Sequence, residues 1–159
     1  MAHDPDRSEH AIAAAEALGL SYGVTRHGPV RSLDEAAKAR GVAPSAVVKT
    51  IVVRLTDEDY RFVLVPGDRE IAWPKLRSLL GVNRLSMPDA DTARAVTGYV
   101  RGTITPLGST TAWPVVADES LTGTVSLGGG AHGVALSVDA GELVAALGAT
   151  VADVTERTA

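Results

Sequence analysis

The chain contains no cysteine, and that absence removes disulfides, thiolate nucleophiles and sulfur-ligated zinc together. Aromatic residues make up only 4%, so any core must be built from Val, Leu, Ile and Ala. Lysine is scarce as well, confined to Lys38, Lys49 and Lys75. Only four histidines occur (His3, His10, His27 and His132), and none forms an H-x-x-x-H pair, so no dedicated metal site is expected. No apolar run approaches the roughly 20 residues that span a bilayer, since even Ala11 to Leu18 is broken by Glu16. Residues 1–9 are polar and lack a signal-peptide core, which makes the cytoplasm the expected location and a membrane no partner. A net charge of −4 lacks the basic excess of a protein that coats DNA, so no DNA partner is expected. One RNA end held in a local basic pocket remains compatible with it.

What is present reads as one α+β domain over 1–159, with loose ends at about 1–7 and 155–159. Ser8 is placed to cap a helix running to about Leu18, closed by Gly19. Ser32 and Glu35 form a capping box for a second helix that stops at Gly41. Pro74 opens a third, ending near Leu80. Pro88 and Asp89 open a fourth, ending near Val96. Asp139 and Glu142 start a fifth, stopped by Gly148. Strands are expected at Val47–Leu55 and Tyr60–Val65, joined as a hairpin through a polar turn. Further strands are expected at Val82–Ser86, Thr111–Val116, Thr124–Leu127 and Val134–Val138, with a short one at Thr150–Val154. The helix–strand alternation is too irregular for a doubly wound fold and favours a mixed or largely antiparallel sheet.

Three features carry chemistry. Lys49 stands in an otherwise apolar strand, sharing a face with Val47, Ile51 and Val53. A lone ammonium there either snorkels to solvent or lines a polar cavity. The segment Thr97 to Gly108 holds Gly98, Gly102, Pro106 and Gly108. Glycines let a main chain approach a ligand and present N–H groups to it, or they simply make two tight turns. The segment lacks the Gly-Lys-Ser/Thr ending of a phosphate-binding loop and the G-x-G-x-x-G of a dinucleotide fold. Gly128-Gly129-Gly130 is the third feature, a hairpin turn or a second close-approach loop with His132 just after it. No Ser-His-Asp arrangement and no G-x-S-x-G elbow is present.

Val48-Lys49-Thr50 in a strand, Thr97-Gly98-Tyr99 leading to Gly102-x-x-x-Pro106-Leu107-Gly108, and the Gly128–Gly130 turn together resemble the YbaK family. These are editing domains related to the insertion domain of bacterial prolyl-tRNA synthetase. The resemblance runs from about Ala11 to Leu147. It implies a mixed, barrel-like β-sheet flanked by helices. It implies hydrolysis of a mischarged small amino acid, of the Cys-tRNA(Pro) or Ala-tRNA(Pro) type, with no metal and no organic cofactor. Lys49 corresponds to the family's characteristic lysine, and Gly102 to Pro106 to its G-x-x-x-P loop. His27, Gly98, Gly102, Thr103, Ile104, Pro106, Gly128 and Gly129 are the implied substrate-binding positions. The implied partner is the acceptor end of an aminoacyl-tRNA, with prolyl-tRNA synthetase as a candidate protein partner.

An aminoacyl ester is already activated, so positioning and electrostatics can supply most of the rate without a strong protein nucleophile. A separate editing site has a purpose, because a synthetase pocket rejects a near-isosteric amino acid by only about 10- to 200-fold. Two other readings fit the same residues: a non-catalytic module that holds a tRNA end, a nucleotide or a synthetase, and a small hydrolase of other activated esters.

Overall fold

The computed structural model describes residues 6–158; residues 1–5 and 159, part of the ends expected to be loose, lie outside the described residues. The chain is α+β. Its helices are α1 (Ser8–Ala17), α2 (Leu33–Arg40), α3 (Trp73–Leu80), α4 (Ala90–Thr97) and α5 (Ala140–Leu147), with a 3₁₀ turn at Pro44–Ala46. The strands are β1 (Tyr22–Arg26), β2 (Val48–Thr56), β3 (Asp59–Pro66), β4 (Arg69–Ile71), β5 (Val115–Asp118), β6 (Thr124–Gly128), β7 (Val134–Asp139), β8 (Thr150–Ala152) and β9 (Thr155–Arg157).

Local capping chemistry sets most helix ends. The Ser32 hydroxyl accepts the Glu35 N–H at 3.1 Å, and the Glu35 carboxylate accepts the Arg31 N–H at 2.6 Å. Asp89 and Asp139 cap α4 and α5 in the same way, accepting from Thr92 and Glu142. Helices α2 to α5 stop at Gly41, Gly81, Gly98 and Gly148, all with positive φ. The first helix departs from expectation. Ser8 is already helical, Arg7 holds the cap position without a side-chain bond, and the Asp6 carboxylate accepts the Ser8 N–H at 3.0 Å.

Among the described residues three sheets form, in orders β1-β7-β6, β2-β3-β5-β8 and β4-β9. The expected hairpin is present as β2 and β3, antiparallel from Val48↔Pro66 to Thr56↔Asp59. Strands β3, β5 and β8 then run parallel, which makes the central sheet mixed. A parallel bridge between Val47 and Ser126 joins the central sheet to β6. The sheets do not close into a barrel among the described residues. Two other expectations shift. Val82–Ser86 contributes only the Ser86 bridge to Arg54, and the strand expected at Thr111–Val116 begins at Val115. The tail expected to be loose from 155 onward forms β9 and pairs with β4, because Thr155 and Ile71 bury together there.

The central sheet buries both faces, which explains the near-continuous apolar strands β3 and β5. One face carries Val48, Val52, Phe62 and Leu64 and packs on Leu127, Leu136, Ala11 and Leu143 from β6, β7, α1 and α5. The other carries Val53, Val63, Val65 and Val116 and packs on Leu76 of α3, Ile71 and Val154. Among the described residues no helix is long and apolar enough to cross a membrane.

Candidate active site

Strand β2 lies at the edge of the central sheet, and a cleft of about 280 Å³ opens beside it. Lys49, Thr50 and Val52 of β2 line one wall. Gly102, Ile104 and Gly128 line the facing wall, and Arg40 and Arg101 add two guanidinium groups. Met87, exposed, and Ala93, buried, complete an apolar side. The fold therefore brings four of the expected site residues to one place: Lys49, Gly102, Ile104 and Gly128.

Lys49 pairs with Val65 across the hairpin, on the sheet face opposite Thr50 and Val52. Its side chain is half-buried, and the ammonium donates to the Arg69 main-chain carbonyl at 2.5 Å. Burial pulls the amine below its ordinary lysine value, while the charges of Glu70 and Asp68 oppose that shift. Arg40 is lowered by burial too, and its Nη1 points at the Ser126 carbonyl at 3.4 Å.

The facing wall is held by a compact loop. Thr110 N–H closes it on Thr97 carbonyl at 3.0 Å, and the Tyr99 hydroxyl donates to the Leu107 carbonyl at 2.6 Å from inside the core. Thr103 is buried, and both its N–H and its hydroxyl donate to the Val100 carbonyl. Its carbonyl accepts the Gly130 N–H at 3.1 Å, which ties the two glycine segments together. The Thr103 N–H is thus occupied. Among the described residues, the N–H groups of Gly102 and Ile104 have no main-chain acceptor. Gly102 sits at φ +90, where a side chain is strained, and a Cβ there would stand 3.3 Å from the His132 ring.

The remaining expected positions lie around the cleft rather than on its wall. Gly98 ends α4, and a Cβ there would meet Thr110 Cγ2 at 2.7 Å. Pro106 is buried behind the loop. Gly129 donates to the Val134 carbonyl at 3.0 Å and packs on the Val134 side chain. His27 donates its N–H to the Gly133 carbonyl at 2.8 Å, its Nδ1 lies 2.8 Å from the Gly28 carbonyl, and its buried Nε2 has no hydrogen-bond partner among the described residues. The residues that sequence reasoning passed over are Arg40 and Thr50. Nothing local marks Arg40, which reaches the cleft because α2 packs on the Pro44–Ala46 turn that leads into β2. Thr50 was visible as the neighbour of Lys49, on the opposite face of the strand. Its Oγ1 is buried without a hydrogen-bond partner among the described residues.

This is an α+β domain with a cleft lined by cationic residues and by open main chain. The chain belongs to the aminoacyl-tRNA editing domain family, which matches residues 27–146. Among curated proteins it is 37% identical over 78 residues to the proline–tRNA ligase of Desulforamulus reducens, covering 49% of this chain and 14% of that one. It is also 37% identical over 92 residues to the proline–tRNA ligase of Desulfovibrio desulfuricans, covering 58% and 16%. The chain thus matches only a small part of the length of these relatives. A solved structure described as a proposed trans-editing enzyme for prolyl-tRNA synthetase superposes with a TM-score of 0.85 at 28% identity, over 98% of this chain and 99% of that one. A hypothetical protein of known structure superposes with a TM-score of 0.84 at 31% identity, over 92% and 99%.

Proposed function

We propose that this chain is a trans-editing aminoacyl-tRNA deacylase acting on a small amino acid misattached to tRNA, of the Cys-tRNA(Pro) or Ala-tRNA(Pro) type. The observation that carries this reading is the cleft itself, lined by Arg40, Lys49 and Arg101 and by Gly102 and Ile104, whose N–H groups have no main-chain acceptor among the described residues. Water attacks the ester carbonyl carbon, the bond to the ribose 3′ oxygen breaks, and that oxygen leaves with a proton. The products are a free amino acid and uncharged tRNA. The Gly102 and Ile104 N–H groups hold the carbonyl oxygen as it gains negative charge, an arrangement worth about 100- to 1,000-fold per donor. Lys49 adds positive charge near the ester or the terminal phosphate–ribose. The 2′ hydroxyl of the terminal ribose, or a second water, carries the proton. The scheme assigns no step to a metal. Thr103, Pro106, Gly98, Gly129 and His27 act by holding the two loops in register.

Prolyl-tRNA synthetase is the proposed protein partner, on the strength of the proline–tRNA ligase relatives. Incubating the purified protein with labelled Cys-, Ala- and Ser-tRNA tests the reading. Ester loss above the spontaneous rate supports it, and binding without loss overturns it in favour of a tRNA-end binding module.

A further inference from the structure

Charge is divided unevenly in the cleft. Its lining holds three cationic side chains, Arg40, Lys49 and Arg101, and no carboxylate among the described residues. An aminoacyl-tRNA, the substrate in the proposed function on which this inference rests, carries charges of both signs near the ester. Its phosphates suit the guanidinium and ammonium groups. Its α-ammonium is repelled by them and requires acceptors from another source.

Strand β2 offers those acceptors. Arg54 N–H donates to the Ser86 carbonyl at 2.7 Å, and Ser86 N–H donates back to the Arg54 carbonyl at 3.2 Å, so the main-chain groups of Arg54 point away from β3. Main-chain direction alternates along a strand. The N–H and C=O groups of Val52 and Thr50 therefore point the same way as those of Arg54. Among the described residues no further strand or bridge pairs with them. The strand edge is stitched at Val47 to Ser126 and at Arg54 to Ser86, and it is open between, where the cleft lies. An open edge is a standing template for polar partners. The buried, unpartnered Thr50 Oγ1 belongs to the same stretch.

We propose that the open edge of β2 at Thr50 and Val52 seats the α-ammonium of the aminoacyl group, with their two carbonyls and the Thr50 hydroxyl as acceptors. The seat gives the site a chemical requirement beyond side-chain size. Esters with a free α-amine are accepted, whereas α-hydroxyacyl, N-acylated and peptidyl esters of the same tRNA are not.

The test uses two stable tRNAs whose terminal ester is replaced by a 3′ amide, one carrying alanyl and one lactyl. The pair exchanges ammonium for hydroxyl at almost constant size. In the wild-type protein the alanyl form is expected to bind about tenfold tighter, the scale of one charge-assisted hydrogen bond. The Thr50 and Val52 amide signals should shift with alanyl and much less with lactyl. Thr50→Val should narrow the gap by weakening alanyl alone; should that variant not fold, the wild-type pair decides. Equal affinity for the two tRNAs overturns the seat, and so does failure to bind either. Hydrolysis of ordinary Ala-tRNA, followed in parallel, reports on the deacylase reading separately. Turnover together with equal affinities retains the enzyme and discards the seat.

Discussion

The Lys49 ammonium and the Arg69 carbonyl meet at 2.5 Å, a contact that links β2 of the central sheet to the small β4-β9 sheet. The amine is thereby held by main chain rather than by a carboxylate. Lys49→Ala should lower deacylation by about 100-fold or more, the scale of a lost electrostatic contact to a developing oxyanion. Its thermal melt should stay close to wild type. Near-normal turnover removes Lys49 from the mechanism.

The same amine predicts a pH profile. Burial favours its neutral form, so the charged form is lost at a lower pH than for a free lysine, whose value is 10.5. After subtraction of spontaneous hydrolysis, kcat/KM should fall on an alkaline limb that begins below 10.5. Lys49→Arg, if active, should lack that limb. An identical limb in the arginine variant assigns it to another group.

Gly102→Ala should impair the site through the backbone. At φ +90 a left-handed L residue costs about 1–2 kcal/mol, and the new Cβ presses on His132. Urea denaturation should show that loss together with reduced turnover. Gly28→Ala is the control, because open space surrounds that position. It should leave stability within about 0.5 kcal/mol.

Tyr99→Phe removes the bond to the Leu107 carbonyl and should cost about 1–2 kcal/mol. Burial pushes the Tyr99 hydroxyl up to about 12, with the Arg7 cation opposing. Ionisation therefore opposes folding. Wild-type stability from this group is intact below the unfolded value near 10 and declines as pH rises from 10 toward 12. Denaturation at pH 8 and pH 11 should show a smaller drop for Tyr99→Phe than for wild type.

Asp118 governs the acid side. Burial pushes its carboxyl up, but donors from Ser120, Val154 and Thr155 outweigh burial and leave it below 3.8. Its stabilising effect is full above 3.8 and is lost as pH falls through the lower folded value. Asp118→Ala should cost about 1.5–3 kcal/mol at pH 7 by urea denaturation. The difference from wild type should shrink as the solution is acidified below pH 4.

Helix ends were the most legible part of the chain, because Ser32, Asp89 and Asp139 make their bonds within three residues. The β2-β3 hairpin was equally plain from its β-branched runs. Strands β1, β4 and β9 were not, since they are short and partly polar and exist only through distant partners. Nothing local marks Arg69, which follows a Gly67-Asp68 turn, yet its carbonyl receives the Lys49 amine. The glycine segments could be located, but only the fold separates Gly102 and Gly128 on the cleft wall from Gly98 and Gly129 behind it. Which face of β2 meets the cleft was likewise undetermined until β6 and the 102–104 segment were placed against it.

The pairing of β4 with β9 ties chemistry in the middle of the chain to Thr155–Arg157. Arg69 Nε donates to Thr155 Oγ1 at 2.6 Å, so the residue whose carbonyl receives the cleft's amine is itself clamped by the last strand. A deletion that reaches Thr155 would release that clamp while every wall residue remained in place, and turnover would register the loss of a segment that touches no substrate.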